Sequence, residues 1–203
     1  MRSRGPRRLS CMETTTFDLA PAADELRRVL AGVGDAQLTA PTPCAGTSVA
    51  GLLDHLLGLT WAFARAAGKQ PGGTATADPV ALPGDWRTRL PAQLDDLVEA
   101  WRAPGAWEGT AEAGGIEMPA SVMAAVALDE LVVHGWDLAV ATGQEYRGDE
   151  ESARRSLEFA ASVGDDPESR AGLYGPPVPV PHDAPVLDRL LGATGRDPAW
   201  TAP

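Results

Sequence analysis

Glu130 and His134 stand four residues apart in the stretch DELVVHGWDLA. On a helix that spacing projects both side chains from one face, so both can reach one ion. Their neighbours on that face, Val126, Ala127, Leu131 and Leu138, are apolar. A carboxylate in such surroundings is costly unless it is paired or bound to a metal, so Glu130 needs a partner. His55 occupies an equivalent position in a second leucine-rich stretch, VAGLLDHLLG, with Leu52, Leu56 and Leu59 around it, and reads as core-facing too. Two imidazoles and one carboxylate suit a divalent metal, zinc first, with nickel, cobalt or iron as alternatives. Three protein ligands leave a coordination position open to water or substrate. Glu-x-x-x-His is nevertheless a weak motif by itself. A Glu–His hydrogen bond beside an unrelated buried His55 accounts for the same residues.

Asp137 follows His134 by three residues and Glu130 by seven, so it shares their face and is placed to orient a ligand from behind. A hydrogen bond from Asp137 to a loop or an indole is the alternative. Trp61, Trp101 and Trp136 read as core rather than substrate wall, and Cys44 as a small buried filler rather than a redox thiol. His182 lies in a proline-rich stretch and reads as solvated, not as a fourth ligand. Arg189 and Arg196 have the fork that binds a carboxylate, but read more simply as surface or helix-terminal charges. Catalytic and substrate-binding residues are not assigned.

Four long helical segments must position these groups. Apolar residues recur with helical period from Phe17 to Val33, with Asp18 as N-cap and Pro21 in the first turn. A second helix runs from Ser48 to Ala67, between a Thr47 or Ser48 cap and Gly68, and carries His55. Gln70 to Gly84 reads as a long crossover loop. The third helix follows Asp85, with Leu90, Leu94, Leu97, Val98 and Trp101 inward and Pro91 marking a kink or a later start. Trp107 to Met118 fits a short hairpin about Gly114-Gly115. Pro119 opens the fourth and longest helix, which ends at Thr142 before Gly143 and carries Glu130 and His134. Shorter helices are expected over Asp149–Val163 and Ala184–Leu191, around a proline-rich Tyr174–Pro185 stretch. The fold class is all-α: a helical bundle with one long crossover, whose inward-facing side chains can build a metal site. Residues 1–16 read as a flexible basic tail, 17–145 as the metal-binding bundle and 146–203 as a helical, proline-rich extension of the same domain.

With 44% apolar and 22% charged residues the chain is expected to be globular, and its apolar stretches are interrupted by charges too often to span a membrane. A net charge of −11 disfavours nucleic acid and anionic lipid as partners. The first eleven residues run the other way, with Arg2, Arg4, Arg7 and Arg8 and no acid. Met12 is the expected natural start, a basic binding arm being the alternative. No apolar run follows those arginines as a secretory signal requires. Cys11 and Cys44 fit neither a disulfide framework nor a metal motif, and a reducing cytoplasm with both thiols unpaired is expected.

Thr42-Pro43-Cys44, VAGLLDHLLG at 49–58, DELVVHGWDLAVATG at 129–143 and the ending LDRLLGATGRDPAW resemble an actinobacterial metal-binding family related to mycothiol-dependent maleylpyruvate isomerase, within the DinB-like superfamily. The resemblance covers Phe17 to Trp200. It implies the DinB-like four-helix bundle, here with a small C-terminal helical appendage. It also implies a metal held by the histidine of the second helix and the Glu and His of the HGWDLA helix, which fall on His55, Glu130 and His134. The implied chemistry is activation of mycothiol or a related small thiol for addition or transfer to an electrophile. A cation at the open position favours the thiolate, which is the nucleophile. A non-catalytic metal-binding or sensing bundle is the alternative, and a homodimer is left open. The better-characterised isomerases carry a larger C-terminal domain than this chain, so the maleylpyruvate reaction itself is not carried over.

Overall fold

The structure, a computed structural model, describes residues 16–70, 82–164 and 166–202. The basic tail with Cys11, and most of the expected crossover loop, lie outside the described residues. Four helices form the bundle: α1 (Ala20–Ala31), α2 (Val49–Ala67), α3 (Trp86–Arg102) and α4 (Ala120–Ala141). Both α1 and α2 pack against α3 and against α4, so helices consecutive in the chain, α1 and α2, sit at opposite corners. Leu26, Leu52, Leu53, Leu56, Leu90, Leu94, Leu97, Met123 and Leu128 fill the space between them.

The helix limits follow from local chemistry. The Ser48 hydroxyl accepts from the backbone N–H of Gly51 and starts α2, and Gly68 ends it. Helix α1 begins two residues later than its expected Asp18 cap, although the Asp18 carboxylate still accepts from the Ala20 N–H at 3.1 Å. Helix α3 runs through Pro91 rather than starting after it. A two-stranded hairpin, β1 (Thr110–Ala113) and β2 (Ile116–Pro119), precedes α4. Its turn takes Gly114 and Gly115 at φ 59° and 80°, a conformation only glycine adopts cheaply.

Beyond the bundle come α5 (Glu150–Val163), started by the Asp149 carboxylate, then a single turn α6 (Pro167–Arg170), which periodicity does not foresee, and α7 (Val186–Ala193). Helix α5 packs on α4, and α7 on α5. Helix α4 is therefore covered by α1 and α2 on one side and by α5 on another. It is not the amphipathic helix its role in a four-helix bundle suggests: its buried residues lie all round its axis, Asp129, His134 and Asp137 among them. No helix among the described residues is long and apolar enough to cross a membrane.

Candidate metal centre

Helix α4 brings Glu130 and His134 to its α2-facing side, and α2 brings His55 to meet them. One donor atom from each of the three residues lies within 4.8 Å of the others. The Glu130 Oε2 is 2.9 Å from His134 Nε2 and 3.6 Å from His55 Nε2. The two rings meet edge to face with centroids 5.0 Å apart. His134 is nearly buried, with 8% of its side chain exposed, and Glu130 retains 21%. His55 is 47% exposed, which corrects its reading as a core-facing residue. Leu52 and Leu56 carry the buried stripe of α2, and His55 lies on the flank of that stripe, at the rim of the contact with α4. The cluster is thus closed on the α4 side and open to water beside His55.

Behind His134, Nδ1 lies 2.9 Å from Asp137 Oδ2. Asp137 is fully buried and makes both expected contacts, one with the histidine and one with a loop, through Arg196. A carboxylate facing Nδ1 requires a proton on that nitrogen and turns Nε2 toward Glu130. Glu130 Oε2, itself shielded from water, receives no properly directed hydrogen bond despite its two imidazole neighbours. A carboxylate oxygen and an imidazole nitrogen 2.9 Å apart are stabilised by a positive charge, either a proton or a metal cation. Without a metal the proton takes that place. Burial opposes a charged His134, but the Asp137 and Glu130 carboxylates outweigh it and raise its pKa from 6.5 to about 10. Glu130 is shifted the other way: burial would raise its pKa, yet His134 and His55 hold it far below the usual carboxylate range.

That shift gives a pH dependence with a definite sign. The stability that charged His134 lends the metal-free protein is fully present below pH 6.5 and is lost as pH rises through about 10. Chelator-treated protein should therefore unfold at lower denaturant at pH 10 than at pH 7. His134→Gln should remove most of that difference; if the variant keeps the wild-type slope, His134 is not the group responsible.

Two further groups border the cluster. Asp129 is buried, and its Oδ2 accepts from the Tyr174 hydroxyl at 2.9 Å while its Oδ1 has no hydrogen-bond partner. Burial and the neighbouring Glu130 raise its pKa from 3.8 to about 7. Sequence periodicity missed this pair because its members are 45 residues apart. An aspartate in an otherwise apolar helix was the available signal. Tyr174→Phe removes this donor and should cost about 1–3 kcal/mol. A group raised in this way stabilises the fold below pH 3.8 and ceases to as pH climbs through 7, so the penalty should be larger at pH 8 than at pH 5 in denaturant unfolding. Equal penalties would show that Asp129 does not titrate there.

The second group is Arg196, which is 8% exposed and donates to Asp137, not the surface charge its position near the end of the chain suggests. Arg189 is exposed, as expected, and the His182 side chain is wholly exposed, away from the cluster. Cys44 is half-buried rather than a buried filler, and pairs with no cysteine among the described residues. Trp101 and Trp136 are core residues, but Trp61 is 39% exposed with the Arg65 guanidinium over its ring.

The fold and this cluster define a DinB-like helical bundle with a two-histidine, one-carboxylate group between its second and fourth helices. The model of the mycothiol maleylpyruvate isomerase N-terminal domain matches residues 19–139, and the chain belongs to that family. Two uncharacterized proteins of Mycobacterium tuberculosis, Rv0738 of strain H37Rv and MT0763 of strain CDC 1551, are each 29% identical over 187 residues, covering 86% of this chain and 93% of theirs. Among solved structures, the mycothiol-dependent maleylpyruvate isomerase superposes with a TM-score of 0.52 at 20% identity, over 71% of this chain and 67% of that one. A histidine-to-alanine mutant of that enzyme gives 0.51 at 17% identity with the same coverage.

Proposed function

We propose that His55, Glu130 and His134 hold one divalent cation, zinc by ligand type, and that the protein uses it on a small thiol and an electrophile. The observation that carries this reading is Glu130 Oε2, buried without a directed hydrogen bond between two imidazole nitrogens. Zinc with ligands at about 2.1 Å in a tetrahedron places donor atoms about 3.4 Å apart. The 2.9 and 3.6 Å separations bracket that value.

Each residue then has a part. His134 and Glu130 form a preset pair on one helix, and Asp137 holds the His134 ring by Nδ1 so that Nε2 stays unprotonated toward the ion. His55 supplies the third ligand from the solvent side. The exposed edge beside it is the approach for water or an incoming thiol. When bound, the cation supplies the charge that makes a thiol ionise at neutral pH. Membership of the mycothiol isomerase family favours mycothiol as that thiol, and the family relation favours a cytoplasmic setting. Residues 17–145 would form the metal-holding part, with 146–203 completing the same folding unit.

The test is metal analysis of protein purified without a polyhistidine tag, followed by turnover of candidate electrophiles with and without thiol. About one zinc per chain and thiol-dependent turnover are expected. Protein that takes up no divalent metal after incubation with it would refute the site. Metal without turnover would leave binding alone.

A further inference from the structure

We infer that Arg196, carried by the segment after α7, is a positioning residue for His134, acting through Asp137. This rests on the metal-centre reading above. Asp137 Oδ2 lies 2.9 Å from His134 Nδ1 and also accepts from Arg196 Nη2 at 3.0 Å, while Arg196 Nε lies 3.4 Å from Oδ1. The guanidinium fork therefore holds both carboxylate oxygens and fixes the plane of the carboxylate that orients the imidazole. A carboxylate held only by the imidazole could rotate about its own axis and carry the ring with it. All three side chains are buried, at 8%, 0% and 8% exposure for Arg196, Asp137 and His134, so water does not replace any of these contacts.

The extension is built to deliver this arginine. Helix α7 ends at Ala193 with Thr194 as its C-cap, and the Arg196 N–H closes the turn on Leu191 O at 2.8 Å. Gly195 sits at φ 83°, where a side chain would strike the backbone of Gly175 at 2.9 Å. Buried Arg170 holds the same corner, donating to the carbonyls of Gly175 and Ala193. Arg196 Nη1 donates to Thr194 O at 2.9 Å, which fixes the guanidinium from its other side. Arg196 lies beyond the 19–139 stretch that the family model covers, so the match by itself does not point to it. The extension is thus part of the site rather than an appendage beside it.

The experiment uses the full chain and four variants: Arg196→Gln, Arg196→Lys, Asp137→Asn and the double Arg196→Gln/Asp137→Asn. Zinc affinity is measured by competition with a chromophoric chelator. The His134 Nδ1–H signal and its exchange with water are followed in metal-free protein labelled with nitrogen-15 histidine. Arg196→Gln should weaken zinc binding about 10–100-fold and speed Nδ1–H exchange. Lysine restores the charge without the fork and should recover part of each effect. In the double variant, removing Arg196 should add less than about two-fold to the effect of Asp137→Asn, because the two act in series. Wild-type affinity and exchange in Arg196→Gln, or effects that multiply in the double variant, would overturn the inference. Should Arg196→Gln fail to fold, Arg196→Lys decides, by the same two readouts. If the wild type takes up no zinc, the metal-centre reading falls while Nδ1–H exchange still tests Arg196.

Discussion

His55→Ala should leave a folded protein that no longer retains zinc. The side chain is 47% exposed and lies at the rim of the contact with α4, so its removal opens no core cavity. Two protein ligands remain, and two rarely hold zinc against buffer and chelator. Metal content should fall from about one per chain to less than about a tenth, with thiol-dependent turnover falling alongside, while the denaturant midpoint of the metal-free protein stays close to wild type. Plasma emission spectrometry of gel-filtered protein makes the measurement. Stoichiometric zinc in the variant would mean that the ion lies elsewhere. His134→Ala is a poorer probe, because it removes a nearly buried ring that contacts both Asp137 and Glu130 and so confounds metal loss with loss of stability.

Asp137→Asn should act twice, once on stability and once on the metal. The amide turns a donor toward either His134 Nδ1–H or Arg196, and the buried guanidinium loses its counter-charge. Breaking a buried pair from one side costs about 3–5 kcal/mol, which denaturant unfolding of metal-free protein would register directly. In whatever fraction stays folded, loss of the contact behind His134 should weaken zinc binding about 10–100-fold. A variant that matches wild type in both measurements would place Asp137 outside the centre. One that loses stability and keeps full affinity would make the residue a brace for the extension alone.

How much of this was legible in the sequence depends on the distance over which each signal acts. The limits of α2 and α5 are written in local residues: Ser48 and Asp149 are caps whose partners lie three positions away, and Gly114-Gly115 is a turn that only glycine makes easily. The meeting of His55 with Glu130 and His134 crosses two helices, yet the spacing on α4 and the family resemblance sufficed to name all three. His55 is more exposed than its neighbours suggest because leucines at i−3, i+1 and i+4 surround a flank position as readily as a central one. Periodicity locates a stripe and says little about its edges. Asp129 and Asp137 carried a signal that local reading could not resolve, since a carboxylate in an apolar helix announces a missing partner without naming it. The partners, Tyr174 and Arg196, stand in irregular stretches on either side of α7, where no helical period places them and buried arginine contacts do.

The residues of the proposed centre come from α2 and α4, helices that neighbour each other in the bundle but are separated along the chain by α3 and the hairpin. A bound cation is therefore a cross-link, closing a chain loop of roughly 75 residues between His55 and Glu130. Loop closure of that length removes conformational freedom from the unfolded chain, much as a disulfide does, but reversibly and under the control of metal supply. Zinc availability would then set the lifetime of the folded protein as well as its chemistry. A cell short of the metal would then hold a less stable form, which unfolds and is degraded sooner.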